Sequence, residues 1–212
     1  AVIAATAMGL RGRAPAALEP SPPLTFGVLT PPEHFLTRSQ LPILDLSADG
    51  RTLLFVAEGS TSSAIYRRAF DRLAVTRIAG TEGAENPLLS PDGRWIAFFS
   101  GGMLRKVPVE GGMPIVVAKA LAPRGASFAP DGSLIFTPLY TGGLFRVSGS
   151  GGEPLPISRV ETAKGERSHR WPQVLPDGRN AIFTVGNADS PGSYDGSTIE
   201  AQNLETGERR II

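Results

Sequence analysis

The chain has 212 residues, of which 21 are basic and 20 acidic, so the formal net charge is only +1. This balance excludes a strongly basic nucleic-acid-binding surface, and we expect no nucleic-acid partner. The sequence has no cysteine and only two histidines, His34 and His169. Disulfides and thiolate metal sites are therefore excluded, a multi-histidine metal centre is disfavoured, and no cofactor is predicted.

The chain begins with an apolar segment. Residues 1–10 are small and apolar, and Arg11 and Arg13 follow them. Ten residues are too few to span a bilayer, which needs about 20. The pattern favours the end of a transmembrane helix or of a signal peptide, and the alternative is an apolar fragment without such a role. Residues 14–23 hold four prolines, which indicate a stiff, extended linker, so we expect the folded domain to begin near residue 24.

A short turn motif recurs four times. Its copies carry Asp49 and Gly50, Asp92 and Gly93, Asp131 and Gly132, and Asp177 and Gly178. The aspartates are 43, 39 and 46 residues apart, a period that suits a four-stranded propeller blade or a longer helical repeat. In such turns Asp bonds the backbone ahead of it and Gly takes a positive φ. Because equivalent turns of different blades cannot converge on one substrate, we interpret these eight residues as structural rather than as catalytic or calcium-binding.

An apolar run follows each turn, and each run contains a phenylalanine. The four are Phe55, Phe98, Phe136 and Phe183. Short runs rich in β-branched and aromatic residues between turns predict strands, and burial on both faces is expected of a strand inside a blade. Two more strands joined by a turn follow each run, without sustained helical periodicity. The sequence therefore predicts an all-β propeller with four-stranded antiparallel blades, over about 41–83, 84–120, 121–168 and 169–212.

Closure of the propeller ring is a separate question. Propellers protect their sheet edges by closing into a ring of four to eight blades. The fourth repeat reaches its outer strand at Ile212, and residues 24–29 look like a lone strand before the first repeat. We expect the four repeats to be part of a larger ring, short by about two blades. A closed four-bladed ring is the alternative.

The turn and strand at residues 90–99, Ser-Pro-Asp-Gly-Arg-Trp-Ile-Ala-Phe-Phe, resemble the blades of the TolB-like six-bladed propeller family. This resemblance covers about residues 24–212. Residues 80–85, 123–128 and 165–172 are similar to propellers that follow the kinase domain of bacterial transmembrane serine/threonine protein kinases. The resemblance implies a cytoplasmic kinase, one membrane helix, a Pro/Ala-rich linker and an extracytoplasmic propeller. The arginines after the first apolar segment argue for the opposite orientation by the positive-inside rule.

Five residues are candidate contacts for a ligand or partner. His169, Arg170 and Trp171 open the fourth repeat, where the innermost strand approaches the central channel, and Arg124 opens the third repeat in a comparable place. Tyr194 lies in the longest loop between two strands, and long loops of this kind are often functional. The alternative is that these residues only pack or bond neighbouring blades, and that the loop is a permissive insertion.

The sequence lacks the motifs of the enzymes that share this fold. It has no Gly-x-Ser-x-Gly elbow, and Ser90 lies in a turn motif, so Ser90 and His169 are not expected to form a hydrolase triad. Kinase motifs are absent as well. We expect a non-catalytic domain that binds a protein or small-molecule ligand on the propeller rim or channel, at the C-terminal end of a receptor-like serine/threonine kinase. Membrane contact is expected only through a preceding helix.

Two alternatives stay open at this point. The first is the propeller domain of a prolyl-oligopeptidase-like serine peptidase. The second is a stand-alone TolB-like periplasmic scaffold. The repeat motif does not separate them, because one fold serves many functions.

Overall fold

The structure, a computed structural model, describes residues 27–212, whose regular secondary structure is β-strand apart from one short 3₁₀ turn at Thr162–Lys164. The apolar segment and linker predicted at residues 1–23 lie outside the described residues. The strands form four antiparallel sheets that follow one another along the chain. The predictions of an all-β fold and of four-stranded antiparallel blades are confirmed.

Each sheet is one blade, in which the strands pair in chain order from the inside outward. The first blade holds β1 (Phe35–Leu36), β2 (Leu44–Leu46), β3 (Thr52–Glu58), β4 (Ser63–Ala69) and β5 (Val75–Arg77). The second holds β6 (Glu85–Leu89), β7 (Trp95–Ser100), β8 (Met103–Pro108) and β9 (Ile115–Lys119). The third holds β10 (Ala126–Phe128), β11 (Leu134–Phe136), β12 (Phe145–Val147) and β13 (Leu155–Pro156). The fourth holds β14 (Glu166–Val174), β15 (Asn180–Asn187), β16 (Thr198–Asn203) and β17 (Arg209–Ile211).

The first blade has five strands because two segments share its innermost position. Both β1 and β2 pair with β3 along the same edge, through Leu36 opposite Ala57 and Leu44 opposite Phe55. The residues between them leave the ladder, and Leu41 packs into the core between the second and third blades. The first blade therefore sends a loop across the inner edges of its neighbours.

The four Asp-Gly turns join the first and second strands of their blades. In each turn the aspartate Oδ1 accepts the backbone N–H two residues ahead, at 2.9 to 3.1 Å. The glycines have φ between 67° and 81°, a conformation that a side chain disfavours. Because neighbouring strands are antiparallel, these turns lie at one end of the blades. The links between second and third strands, and those between blades, lie at the opposite end.

The core lies between the blades. Along β7, Ile96 and Phe98 pack against the first blade, whereas Ala97 and Phe99 pack toward the third. This alternation follows from the two-residue period of a strand, and it explains why the run is apolar on both faces. The phenylalanines that follow the other three turns are buried as well. Burial of one such side chain stabilises the fold by about 1.5–3 kcal/mol.

The prediction of a strand at residues 24–29 is wrong for the residues of this range that the structure describes. Residues 27–29 do not form a strand. Val28 instead packs against the face of the first blade that points away from the second blade, next to the buried Phe55 and Tyr66. Side-chain contacts hold this segment, and the two prolines that follow it have no N–H to donate to a strand ladder. The expectation of a larger ring stays a prediction.

Within 27–212, no helix has the length and apolar content that crossing a bilayer requires.

Candidate functional site: an arginine–aromatic cleft

A cleft of about 390 Å³ opens at the end of the blades opposite the Asp-Gly turns. Four of the five predicted contact residues line it. They are Arg124, Arg170, Trp171 and Tyr194. The other lining residues are Gln40, Tyr140, Arg167, Pro191 and Gly192. We call this site the arginine–aromatic cleft.

The inner strands of the third and fourth blades meet at its floor. The Trp171 N–H donates to the Arg124 carbonyl at 2.7 Å, and the Arg124 N–H donates to the Thr137 carbonyl at 3.1 Å. The pairing of β14 with β15 shifts register between Arg170 and Gln173, and Trp171 within this bulge has φ of 50°. Bulges re-aim side chains, and this one brings Trp171 to the third blade.

The loop between β15 and β16 also lines the cleft. It carries Tyr194, whose ring centroid lies 5.0 Å from that of Trp171. The Arg170 guanidinium lies 5.1 Å from the Tyr194 ring centroid, and its Nη1 donates to the Tyr194 hydroxyl. Arg170 also donates to the Tyr140 carbonyl at 2.7 Å and to the Ser168 hydroxyl at 2.8 Å. These bonds fix the orientation of Arg170.

The cleft carries positive charge without a compensating acid. Arg124, Arg167 and Arg170 line it, and no Asp or Glu is among its described lining residues. None of the ion pairs found in residues 27–212 includes these three arginines. Burial, together with the charges of Arg124 and Arg167, lowers the pKa of Arg170. Arg124 Nε is buried without a hydrogen-bond partner.

His169, the fifth predicted contact, lies outside the cleft. It is fully buried between the third and fourth blades, and burial lowers the pKa of its imidazole. Its Nε2 lies 3.2 Å from Glu166 Oε2 and its Nδ1 lies 2.6 Å from the Ser158 hydroxyl. Since an ionised carboxylate only accepts, Nε2 donates to Glu166 and Nδ1 accepts from Ser158. Both partners of the imidazole are therefore side chains.

A buried ionic network surrounds His169. Arg209 donates to Glu166 Oε1 at 2.5 Å and to Glu200 Oε2 at 2.8 Å. Burial alone would raise the pKa of Glu166, but the bonds from Arg209, the Glu161 N–H and His169 outweigh it and hold that pKa below its usual value. Among residues 27–212, no group of three His, Asp or Glu side chains is arranged to hold a metal ion.

The side-chain bonds run from Ser158 to His169 to Glu166, which is the order of a hydrolase triad. The surroundings of Ser158, however, differ from those of a catalytic nucleophile. Ser158 Oγ accepts the Leu144 N–H at 2.7 Å. Gly143 lies so close that a Cβ there would be 2.9 Å from Ser158 Oγ. Ser158 is half-buried and also lines a second cleft beside Gln202 and Arg209. The series of bonds links the outer part of the third blade to the inner strand of the fourth.

Sequence reasoning missed Gln40, Tyr140 and Arg167 in the cleft. Tyr140 lies in the link between β11 and β12, the second and third strands of its blade. Tyr194 lies in the equivalent link of the fourth blade, so aligning the repeats could have placed both residues at the same end of the blades. The fourth repeat was predicted to begin at residue 169, so Arg167 lay before it. In the structure β14 begins at Glu166 and therefore includes Arg167. Gln40 comes from the first blade, and no sequence pattern places it here.

Comparison with solved structures shows the fold. The chain is similar to TolB from Acinetobacter baumannii at 17% identity and a TM-score of 0.62, over 79% of this chain and 42% of that one. It is similar to oligogalacturonate lyase from Vibrio parahaemolyticus at 16% identity and a TM-score of 0.55, over 80% and 52%. The β-propeller domain of the Trilobed protease from Pyrococcus furiosus matches at 16% identity and a TM-score of 0.51, over 80% and 56%.

The chain thus has a TolB-like β-propeller fold and spans about half the length of these structures. No protein-family model and no curated protein matches its sequence.

Proposed function

We propose that this chain is a non-catalytic recognition domain that binds a protein or small-molecule ligand in the arginine–aromatic cleft. One observation carries this proposal: side chains from three blades converge on one concave site at the end of the blades away from the repeated turns. The site combines aromatic side chains with a few fixed polar groups, as binding sites commonly do. The Asp-Gly turns recur in every blade and serve folding, whereas the cleft residues occur once.

The hydrogen bonds of the Ser158–His169–Glu166 series support a non-catalytic role. Each polar atom in it already has a partner inside the protein, and His169 has no solvent exposure. A hydrolase nucleophile needs a free lone pair to attack its substrate, whereas Ser158 Oγ already accepts the Leu144 N–H. The series is better suited to holding two blades together.

The kinase context comes from the sequence resemblance. We place the propeller at the C-terminal end of a bacterial receptor-like serine/threonine kinase, outside the cytoplasm and attached through a preceding membrane helix. In this arrangement, ligand binding in the cleft would be the sensing event and phosphotransfer would belong to another domain. Reading the gene on both sides of these residues tests this assignment, and a hydrolase domain downstream would replace it with the peptidase alternative.

Assays of the purified 212-residue chain test the absence of catalysis. The chain is incubated with radiolabelled ATP and casein to detect phosphotransfer, and with p-nitrophenyl acetate and a peptide library to detect hydrolysis. We expect no turnover above the buffer control. Hydrolysis that disappears in S158A, or phosphotransfer by the wild-type chain, would overturn the proposal.

A further inference from the structure

The position of Trp171 has structural equivalents in the other blades. In the second blade, the inner strand has the same register shift, between Glu85 and Leu88, and Asn86 within it has φ of 52°. A proline follows Asn86, as one follows Trp171. In the third blade Gly125, directly before β10, has φ of 104°. A positive φ six residues before the turn aspartate therefore recurs in three of the four blades.

Gly and Asn are the residues expected at such a position, and Trp is not. Glycine adopts positive φ without steric cost, and asparagine does so more readily than other residues with a Cβ. Trp171 adopts it at 50° in the same structural context. Backbone strain of this kind clusters at binding sites, where the side chain serves a purpose other than folding. Here the strained backbone places the indole in the wall of the cleft.

Tyr194, in another element of the cleft, shows the same feature. Its φ is 59°, and its ring contacts both Trp171 and Arg170. Of the four residues other than glycine with positive φ among 27–212, two therefore line the same cleft. They belong to different elements, β14 and the loop after β15, so a single local distortion does not explain both.

The electrostatics of the cleft indicate what it receives. Three arginines face one small volume without an acid, and their mutual repulsion disfavours this arrangement unless a negative charge offsets it. The guanidinium group matches the planar geometry of oxyanions and bonds them through two donors. The rings of Tyr194 and Tyr140, at 5.1 Å and 5.8 Å from arginine guanidiniums, hold the cations in place without neutralising them.

We propose that the arginine–aromatic cleft binds clustered oxyanion groups, namely two or more carboxylates, with Arg124, Arg167 and Arg170 as donors and Trp171 as an apolar wall. This inference rests on the proposed binding function and names its ligand class. The volume of about 390 Å³ accommodates a small polyanion or the side chains at the tip of an acidic protein segment. Both sources present the same chemistry.

Titration calorimetry with the full chain tests the proposal. The two probes are trisodium citrate, a free polyanion, and an acetylated and amidated tetraglutamate peptide. Triethyl citrate and the tetraglutamine peptide are their uncharged controls. We expect one or both charged probes to bind, the uncharged controls not to bind, and affinity to fall when about 0.3 M NaCl screens the charges. Binding of citrate alone identifies a free ligand as the source, and binding of the peptide alone identifies a protein segment.

Matched variants separate the cleft from general surface charge. R124Q combined with R167Q removes two charges from the cleft, and R179Q combined with R210Q removes two from exposed positions outside it. We expect at least a tenfold loss of affinity in the first pair and less than about a twofold change in the second. If the first pair does not fold, R167Q alone gives the comparison, because the Arg167 side chain donates to an exposed carbonyl, that of Pro191.

The variant W171N tests the strained residue. Because Asn holds the equivalent position in the second blade, we expect W171N to unfold at the same temperature as the wild type or above it, with affinity for the probe reduced at least about threefold. Equal affinities of the cleft and surface double variants, or absence of binding to both charged probes, would overturn the proposal. Catalytic turnover in the assays above would overturn the proposed function instead and would leave the anion measurements unaffected.

Discussion

Gly125 and Trp171 approach each other so closely that the two inner strands have no room for a side chain between them. A Cβ on Gly125 would lie 2.9 Å from Trp171 Cα, and the Trp171 N–H bonds the carbonyl of the residue before Gly125. The junction of the third and fourth blades therefore depends on this glycine, and the arginine–aromatic cleft depends on the junction.

Replacing Gly125 with alanine should destabilise the protein more than the same change at a turn glycine. Gly132 also has a positive φ, at 81°, but no atom lies within 4 Å of a Cβ built there. G132A should therefore cost about 1 kcal/mol from backbone strain alone. G125A adds a steric clash, and we expect about 2–3 kcal/mol. Urea unfolding of both variants measures the difference, and equal losses would show that the close contact is not maintained in solution.

His169 should make stability depend on pH just below neutrality. Because burial lowers the folded-state pKa of His169, the unfolded chain takes up a proton as pH falls through about 6.5, before the folded chain does. The free energy of unfolding therefore falls with decreasing pH in this window, until the folded-state pKa is reached. We expect a loss of about 1 kcal/mol between about pH 7 and pH 5.5.

The variant H169Q removes this titration and keeps groups able to bond Ser158 and Glu166. Urea unfolding at both pH values should show a smaller loss for H169Q than for the wild type. H34Q, at the other histidine of the chain, is the matched control and should keep the wild-type loss. A pH dependence that is unchanged in H169Q would contradict the assignment of the titration to the buried imidazole.

Arg209 should be required for stability, because it compensates two buried carboxylates. Glu166 and Glu200 keep only 9% and 8% of their surface exposed, and each bonds Arg209. R209M leaves both charges buried without a cation, at a cost of about 3 kcal/mol. R210M, at the exposed neighbouring residue, should change the free energy of unfolding by less than about 0.5 kcal/mol.

Neutralising the acids provides the complementary measurement. Adding E166Q and E200Q to R209M removes the uncompensated charges and should restore part of the lost free energy of unfolding. If the triple variant is no more stable than R209M, the loss comes from packing of the arginine side chain rather than from its charge.

The repeats were readable from the sequence because they depend on local chemistry. The Asp-Gly turn needs an acceptor and a residue that tolerates positive φ, and both are visible at Asp92 and Gly93 without any knowledge of the fold. The apolar runs that follow need burial on both faces, so their composition alone indicates strands between neighbouring blades. Four of the five candidate contacts line one cleft, because they lie in the inner segments of neighbouring blades or in the longest loop; their role as contacts stays a prediction.

What only the tertiary structure decided is which side chains share a site. His169 and Arg170 are adjacent in the sequence, but successive residues of a strand point to opposite faces, so one enters the interior between blades and the other lines the cleft. Arg209 joins Glu166 across 43 residues, and Arg167 meets Arg124 from another blade, at separations that no motif encodes. The sequence by itself determined the blades through local turn and burial preferences, whereas the cleft and the buried ionic network arise only when the blades pack against each other.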